Sequence, residues 1–267
     1  MAITLRRITI YPIKSLDGIE VGAAQVLASG ALENDRRFVL VDADGKYVNG
    51  KRTPAVHAVR AAYDLAAMTV RFNAEHEFSL VDDQLQIGEY LSSALGIACV
   101  LNENTTTGFP DDTDSPGPTL LSTATLDAVT QWFPGLTLDE ARRRFRANLE
   151  IDRVESGEPV EPFWEDRLVG PAGTTVPFQI GGVRWLGINP CQRCVVPTRD
   201  SHTAEPIAGF QKSFAQHRAA ALPAWAPRDK FNHFYRLAVN TQLASGQSIA
   251  NVPTRLSIGD TLTLGEA

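Results

Sequence analysis

Two cysteines, Cys191 and Cys194, stand three positions apart in a polar, turn-like run. A thiol pair at this spacing can hold zinc, form a redox disulfide or supply a metal-binding thiolate. Structural zinc needs two further nitrogen or sulfur ligands, and the sequence offers only His202 and the distant Cys99. A thioredoxin-like pair belongs in a βαβ unit, whereas strand-like segments flank this pair on both sides. Arg193 between the cysteines favours the thiolate, which is the form that ligates soft metals. Two cysteines packed as small apolar side chains remain the alternative.

Side chains that could hold an anion occur at two other places. Lys14 and Ser15 follow a predicted strand, and a lysine with a hydroxyl at a strand end can bind phosphate. Arg144, Arg146 and Asn148 share one face if the alternation that starts there is a strand, and arginine forks bind phosphate through two hydrogen bonds. Each group could also be a solvated surface, with nearby acidic residues as ion-pair partners. Both interpretations stay open on these residues alone.

The composition limits the class of protein. The chain has 267 residues, a formal net charge of −6, 43% hydrophobic residues and 21% charged residues. These values are ordinary for a globular protein and exclude a disordered, collagen-like or coiled-coil chain. No stretch approaches the roughly 20 apolar residues of a membrane helix, and the N-terminus lacks the apolar core of a signal peptide. We therefore expect a cytoplasmic protein without a membrane partner, and the acidic balance argues against a nucleic-acid partner.

Alternating apolar residues predict a mainly β protein with a few helices and a barrel-like arrangement. Strands are predicted over residues 3–13, 36–41, 68–72, 77–80, 144–151, 176–180, 183–188, 193–196 and 233–239. Helices are predicted over residues 88–98, 123–133 and 207–220, the second with Ser122 as its N-cap. The segment 102–118 is polar and rich in Gly, Pro and Asp, so the domain boundary is expected near it.

Six short motifs follow one another along nearly the whole chain. They are Tyr-Pro-Ile-Lys-Ser (11–15), Asp-Arg-Arg-Phe-Val-Leu-Val-Asp (35–42), Leu-Leu-Ser-Thr-Ala-Thr-Leu (120–126), Arg-Phe-Arg-Ala-Asn-Leu (144–149), Cys-Gln-Arg-Cys-Val-Val-Pro-Thr-Arg-Asp (191–200) and Ile-Gly-Asp (258–260). Each motif alone is weak, but their order and approximate spacing are specific. Together they resemble the MOSC family, and most closely its two-part, amidoxime-reducing branch.

This resemblance implies an N-terminal MOSC β-barrel domain over residues 1–101 and a MOSC domain over residues 102–267. It also implies a molybdenum cofactor between the two domains. Cys194 is then the thiolate that ligates molybdenum, and Asp200 lies where the family often has an Asp near the metal. The residues implied to contact the cofactor, mainly through its phosphate and pterin, are Lys14, Ser15, Arg36 and Arg146, with Ser122, Thr123 and Asn148 as additional contacts.

The sequence departs from the family pattern at three places. Ala147 stands where proline or glycine is frequent, residues 49–52 replace a common Thr-Ala-Arg-Gln stretch, and Pro197 stands where a second threonine is frequent. These departures concern the contacts to the substrate more than the contacts to the cofactor.

The function implied by the resemblance is an oxidoreductase that reduces N-hydroxylated compounds at the molybdenum cofactor. The three cysteines do not form the pattern of an iron–sulfur cluster, so we expect no iron–sulfur domain and expect electrons from a separate protein such as a ferredoxin or flavoprotein. An alternative is a cofactor carrier or sulfur-transfer protein with a persulfide on Cys194. A third, weaker alternative is a pyridoxal-phosphate protein with Lys14 as the Schiff base.

Overall fold

The computed structural model describes residues 2–153, 160–245 and 254–265. The strands are β1 (Ile3–Ile10), β2 (Ile19–Val21), β3 (Ala23–Gln25), β4 (Phe38–Asp42), β5 (Ala61–Asp64), β6 (Thr69–Phe72), β7 (His76–Ser79), β8 (Cys99–Glu103), β9 (Leu120–Ser122), β10 (Leu149–Arg153), β11 (Val176–Ile180), β12 (Val183–Gln192), β13 (Arg236–Leu243), β14 (Arg255–Ser257) and β15 (Thr261–Leu264). The α-helices are α1 (Gln84–Leu95), α2 (Thr123–Gln131), α3 (Leu138–Phe145) and α4 (Phe210–Ala220). The mainly β fold with a few helices is thereby confirmed.

Seven strands form a closed barrel. Their order is β10-β9-β13-β12-β11-β15-β1, and pairing of β1 with β10 closes the ring, while β2 adds an eighth strand beside β1. Strands β9 and β10 are parallel and the other neighbours are antiparallel. Closure leaves no free strand edge along the ring. The interior is filled by fully buried side chains, among them Leu5, Ile8, Ile151, Trp185 and Val239.

A second hydrophobic core lies in the first half of the chain. It is formed by the pair β4–β8, the three-stranded sheet β5-β6-β7 and the apolar face of α1. Phe38, Phe72, Ile87 and Leu91 are fully buried there. Strand β1 precedes this core in sequence, yet its backbone hydrogen bonds join it to β10 and β15 of the barrel. The chain therefore starts in the barrel, leaves it to build the second core, and returns after residue 117.

The predicted strand over residues 144–151 is wrong in its first half. Arg144 lies in α3, and strand geometry begins only at Leu149. The local reason is an N-cap: the Thr137 side chain accepts a hydrogen bond from the backbone N–H of Glu140, which starts a helix. The same helix is extended by the ion pair of Glu140 with Arg144, one turn apart, at 2.6 Å. The apolar and polar alternation over 144–151 therefore spans the end of α3 and the start of β10 and does not mark a single strand.

The remaining element predictions, apart from the strand over 193–196, hold with shifted bounds. Ser122 is the N-cap of α2, as predicted, and accepts a hydrogen bond from the backbone N–H of Thr125. The predicted strand over 193–196 is wrong, because the chain turns there into a short 3-10 helix, Val196–Thr198. The polar segment 102–118, near which the domain boundary is predicted, contains no helix or strand after β8 ends at Glu103. No helix within the described ranges is long and apolar enough to cross a membrane.

Candidate functional site

A cleft of about 1490 Å³ is lined by residues of the barrel strands, of the first half of the chain and of the loops between them. Its lining includes six of the residues proposed from the sequence: Lys14, Ser15, Arg36, Arg146, Asn148 and Cys194. They come from four distant stretches of the chain. The fold therefore brings together most of the residues singled out by motif.

Three of these residues hold the left-handed backbone conformation, which non-glycine residues rarely adopt. The φ angles are 77° at Ser15, 49° at Arg36 and 50° at Arg146. Such positions cost on the order of 1 kcal/mol each and cluster at functional sites. At Arg36 the conformation is held on both sides, because its N–H donates to the carbonyl of Tyr11 at 2.8 Å and its carbonyl accepts from Phe109 at 2.8 Å. The backbone of Arg36 is thus fixed at the point from which its cationic side chain extends.

Lys14 lies on the floor of the cleft, with 7% of its surface exposed. Its ammonium group donates to the carbonyls of Phe109 at 2.9 Å and Pro110 at 3.2 Å, and pairs with the Asp111 carboxylate at 3.0 Å. Burial lowers the pKa of Lys14, and the Asp111 carboxylate opposes that shift. The lysine is therefore a buried cation whose charge is balanced by a loop.

Arg36 is held by a carboxylate and an amide. It pairs with Asp35, and its Nη1 donates to Asn148 Oδ1 at 3.4 Å. Burial would lower the pKa of Arg36, but Asp35 and Asp111 outweigh it, so the pKa lies above its ordinary value. The Asn148 amide in turn donates to the carbonyl of Thr9 in β1 at 3.1 Å. Asn148 thereby connects Arg36 to the barrel wall.

Arg146 differs from Lys14 and Arg36 because its guanidinium has no hydrogen bond or ion pair among the described residues. It stacks on the Tyr11 ring, with 4.0 Å between the guanidinium carbon and the ring centroid. Burial lowers the pKa of Arg146, and the nearby Arg36 cation acts in the same direction. A guanidinium in this position is ready to bind an anion from the cleft.

The two thiols have different surroundings. Cys194 is partly buried and its sulfur accepts a hydrogen bond from the backbone N–H of Val196 at 3.4 Å. Cys191 lies on β12, and its sulfur accepts from Arg193 Nη1 at 3.2 Å. Both sulfurs belong to residues that line the cleft. A soft-metal ligand is therefore available on the wall formed by the loop after β12.

Comparison with known families agrees with this architecture. A family model described as "MOSC N-terminal beta barrel domain" matches residues 2–136, and one described as "MOSC domain" matches residues 119–250. The chain belongs to the MOSC family. The proposed boundary at residues 101 and 102 stays a prediction.

Two individual proteins are also similar to this MOSC protein. "Molybdenum cofactor sulfurase 2" of Culex quinquefasciatus is 24% identical over 260 residues, an alignment that covers 79% of this chain. The chain spans about a third of the length of that relative, 32% by the same alignment. A crystal structure of the YUAD protein from Bacillus subtilis superposes with a TM-score of 0.42 at 9% identity, over 98% of this chain and 94% of that one.

Ser122 and Thr123, two further residues proposed from the sequence, do not line the cleft of this MOSC protein. Ser122 is completely buried, and its hydroxyl donates to the Glu165 carboxylate at 3.0 Å. Thr123 donates to the Glu150 carboxylate at 2.9 Å. Both hydroxyls therefore serve contacts between α2 and neighbouring elements in the structure.

Asp200 is not among the residues that line the cleft either, although Arg199 and Ser201 on its two sides are. Its Oδ1 accepts backbone hydrogen bonds from His202 and Thr203, each at 2.9 Å, and these bonds lower the pKa of Asp200. Its other oxygen lies 3.7 Å from Arg144. The carboxylate thus shapes the turn that follows the Cys194 loop, and its place near a metal stays a prediction.

The sequence analysis missed two residues close to the Cys194 loop. Arg199 donates to the carbonyl of Gly50, which ties this loop to the first half of the chain. The His57 ring packs against the same glycine: a Cβ at Gly50 would lie 3.0 Å from His57 Nε2 and 3.3 Å from a methyl of Val196. Burial lowers the pKa of His57, and Arg199 acts in the same direction. His57 belongs to no motif, and Arg199 lies within the 191–200 motif without a role predicted for it, so only the folded arrangement identifies their contacts.

Proposed function

We propose that this MOSC protein binds the molybdenum cofactor in the cleft and reduces N-hydroxylated compounds there. The observation that carries the proposal is the grouping of Lys14, Arg36 and Arg146 with the Cys194 thiol in one cleft. The family and the relative named as a molybdenum cofactor sulfurase support the choice of cofactor. Cytoplasmic location and supply of electrons by a separate ferredoxin or flavoprotein are part of the same proposal.

The residues fit this cofactor by their chemistry. The cofactor carries a phosphate and a soft metal, so it needs cationic donors and a thiolate at some distance from each other. The free guanidinium of Arg146 and the buried cations Lys14 and Arg36 meet the first need, and the exposed part of Cys194 meets the second. When bound, the cofactor would supply the two-electron chemistry.

The protein's own contribution is binding and orientation. Lys14, Arg36 and Arg146 would hold the phosphate, with Asn148 fixing the Arg36 side chain through the 3.4 Å contact. Ser15 lies beside Lys14 in a left-handed conformation and could offer its hydroxyl to the same phosphate. Cys194 would ligate the metal, with the Val196 N–H donating to its sulfur. A thiolate ligand with such a donor is held in one orientation.

The experiment is to purify the protein with the cofactor supplied during expression. Molybdenum content, fluorescence of the oxidised pterin released on denaturation, and benzamidoxime reduction with a chemical electron donor are measured together. We expect all three in the wild type, and loss of molybdenum and activity in Cys194→Ser. The matched control is Cys99→Ala, because Cys99 is buried in the second core, away from the cleft. Cofactor-loaded protein without activity on any N–O substrate would contradict the reductase assignment.

A second candidate function is sulfur transfer by a persulfide on Cys194. It is favoured by the name of the mosquito relative and by the second thiol, Cys191, in the same cleft. Intact-mass measurement decides between the candidates. A labile adduct of about 32 daltons, one sulfur atom on a thiol, lost in Cys194→Ser and accompanied by no bound pterin, would support sulfur transfer.

A further inference from the structure

The Lys14 ammonium already has an anionic partner within the chain. Asp111 lies 3.0 Å from it, and two loop carbonyls complete its hydrogen bonds. The two side chains differ in exposure: 9% of the Lys14 side chain is exposed, against 64% of the Asp111 side chain. The aspartate therefore approaches a buried cation from the solvent side, which is the side from which a ligand would enter.

The charge of Asp111 is maintained by the cleft itself. Burial would raise the pKa of Asp111, but Arg36 and Lys14 outweigh it and hold the pKa well below its usual range. The lowered pKa favours the ionised carboxylate, which carries negative charge as a bound phosphate would.

The loop is fixed on both sides of Asp111. Before it, the Phe109 N–H donates to the Arg36 carbonyl at 2.8 Å. After it, Asp112 accepts from the backbone N–H of Ser115 at 3.2 Å and from the Asn240 amide at 3.4 Å. The exposed Asp111 side chain can therefore turn outward by rotation about its own bonds, without opening of the loop.

From this geometry we propose that Asp111 is a built-in competitor for the anion that Lys14 binds. Its carboxylate pairs with Lys14 while the site is free, and it turns to solvent when a phosphate group enters. The free site thereby avoids an unpaired buried ammonium, which would be costly. The same pairing weakens binding of phosphate-bearing ligands, so Asp111 sets the concentration at which the site loads. This inference rests on the proposed role of Lys14 in holding the cofactor phosphate.

The test is a calorimetric titration of the purified full chain, freed of bound ligand, with inorganic phosphate at low ionic strength. Asp111→Asn removes the charge and keeps an acceptor oxygen toward Lys14. Asp114→Asn is the matched control, because Asp114 lies in the same loop, is exposed and has no ion pair in the part of the chain that the structure describes. We expect phosphate to bind about threefold more tightly to Asp111→Asn, because the Asp111 carboxylate is 64% exposed and its pairing is screened like that of a surface ion pair. Phosphate should bind to Asp114→Asn as it does to the wild type.

Lys14→Met separates the two hypotheses. Equal affinities in Asp111→Asn and Asp114→Asn, with binding lost in Lys14→Met, would overturn the competitor role and leave the phosphate role of Lys14 intact. Unchanged phosphate binding in Lys14→Met would overturn both. Circular dichroism and urea unfolding of each variant check that the fold is retained.

Discussion

Replacing Arg146 by glycine should separate the contribution of this residue to binding from its contribution to stability. The backbone of Arg146 is left-handed, with φ 50° at the end of α3, and glycine is the residue best suited to that position. Relief of the left-handed strain, on the order of 1 kcal/mol, is offset by the greater freedom of glycine in the unfolded chain, roughly 0.5–1 kcal/mol. We therefore expect the free energy of unfolding to change by less than about 1 kcal/mol.

Binding should respond much more strongly. The guanidinium of Arg146 has no ion pair within the described ranges, so its whole hydrogen-bonding capacity is available to an anion. A hydrogen bond from a charged group contributes about 1.5–3 kcal/mol, which corresponds to a tenfold or greater weakening. The assay is calorimetric titration with inorganic phosphate, together with urea unfolding of the same preparations.

Ala74→Gly is a matched control for the effect of placing glycine at a left-handed position. Ala74 is exposed, left-handed with φ 63°, and lies in the turn between β6 and β7, outside the cleft. It should show a similarly small change in stability and no change in phosphate affinity. If Arg146→Gly loses more than about 2 kcal/mol of stability, a size typical of lost core packing, and binds phosphate as the wild type does, then Arg146 is a structural residue and the reasoning is refuted.

Three further predictions concern residues outside the cleft. Burial raises the pKa of Glu165 to about 7, so the folded state binds the proton of this carboxyl group more tightly than the unfolded state. As the pH rises from about 4.5 to 7, the free energy of unfolding should therefore fall by a few kcal/mol. Urea unfolding of Glu165→Gln should show this fall reduced. Gly187→Ala places a Cβ 1.9 Å from a backbone carbonyl and should cost about 3 kcal/mol or more, whereas Gly22→Ala, with no atom within 4 Å, should cost under 1 kcal/mol. Arg218→Met leaves the buried Asp166 carboxylate without its partner and should lower the free energy of unfolding, measured in urea, by about 3–5 kcal/mol. Adding Asp166→Leu to the same chain should restore a part of this loss.

Structural features that depend on contacts between residues close in sequence could be predicted from local sequence patterns. The N-cap at Ser122 was predictable because its hydroxyl bonds to a backbone N–H only three residues away. The helix that contains Arg144 was not predicted, because the alternation from Arg144 to Asn148 competed with the N-cap at Thr137, and the N-cap bond starts the helix that includes Arg144. Apolar and polar residues can therefore alternate, as they do in a strand, where a helix ends in a left-handed residue.

The site could be predicted residue by residue through motifs, but its arrangement could not. Arg36 reaches Asn148 because its backbone is bonded to Tyr11 and because β1 pairs with β10, and neither contact is encoded in a local pattern. Asp111 was missed because it lies in a segment whose composition indicated only a linker. A loop residue gains its role from the side chain it meets in the fold, and here that side chain is nearly a hundred positions away, at Lys14.

The distribution of charge in the cleft links stability to ligand binding. The chain is acidic overall, with a net charge of −6, yet the structure gives Arg146, Arg193 and Arg199 no carboxylate partner in residues 2–153, 160–245 and 254–265. Cations that are removed from water without a counter-charge destabilise the folded state. An anionic ligand that supplies the missing charge binds only the folded state and must therefore stabilise it by mass action. The net charge of the chain is thus uninformative about the proposed ligand, whereas Arg193 and Arg199, which lie on the two sides of Cys194 without a carboxylate partner among the described residues, favour an anion.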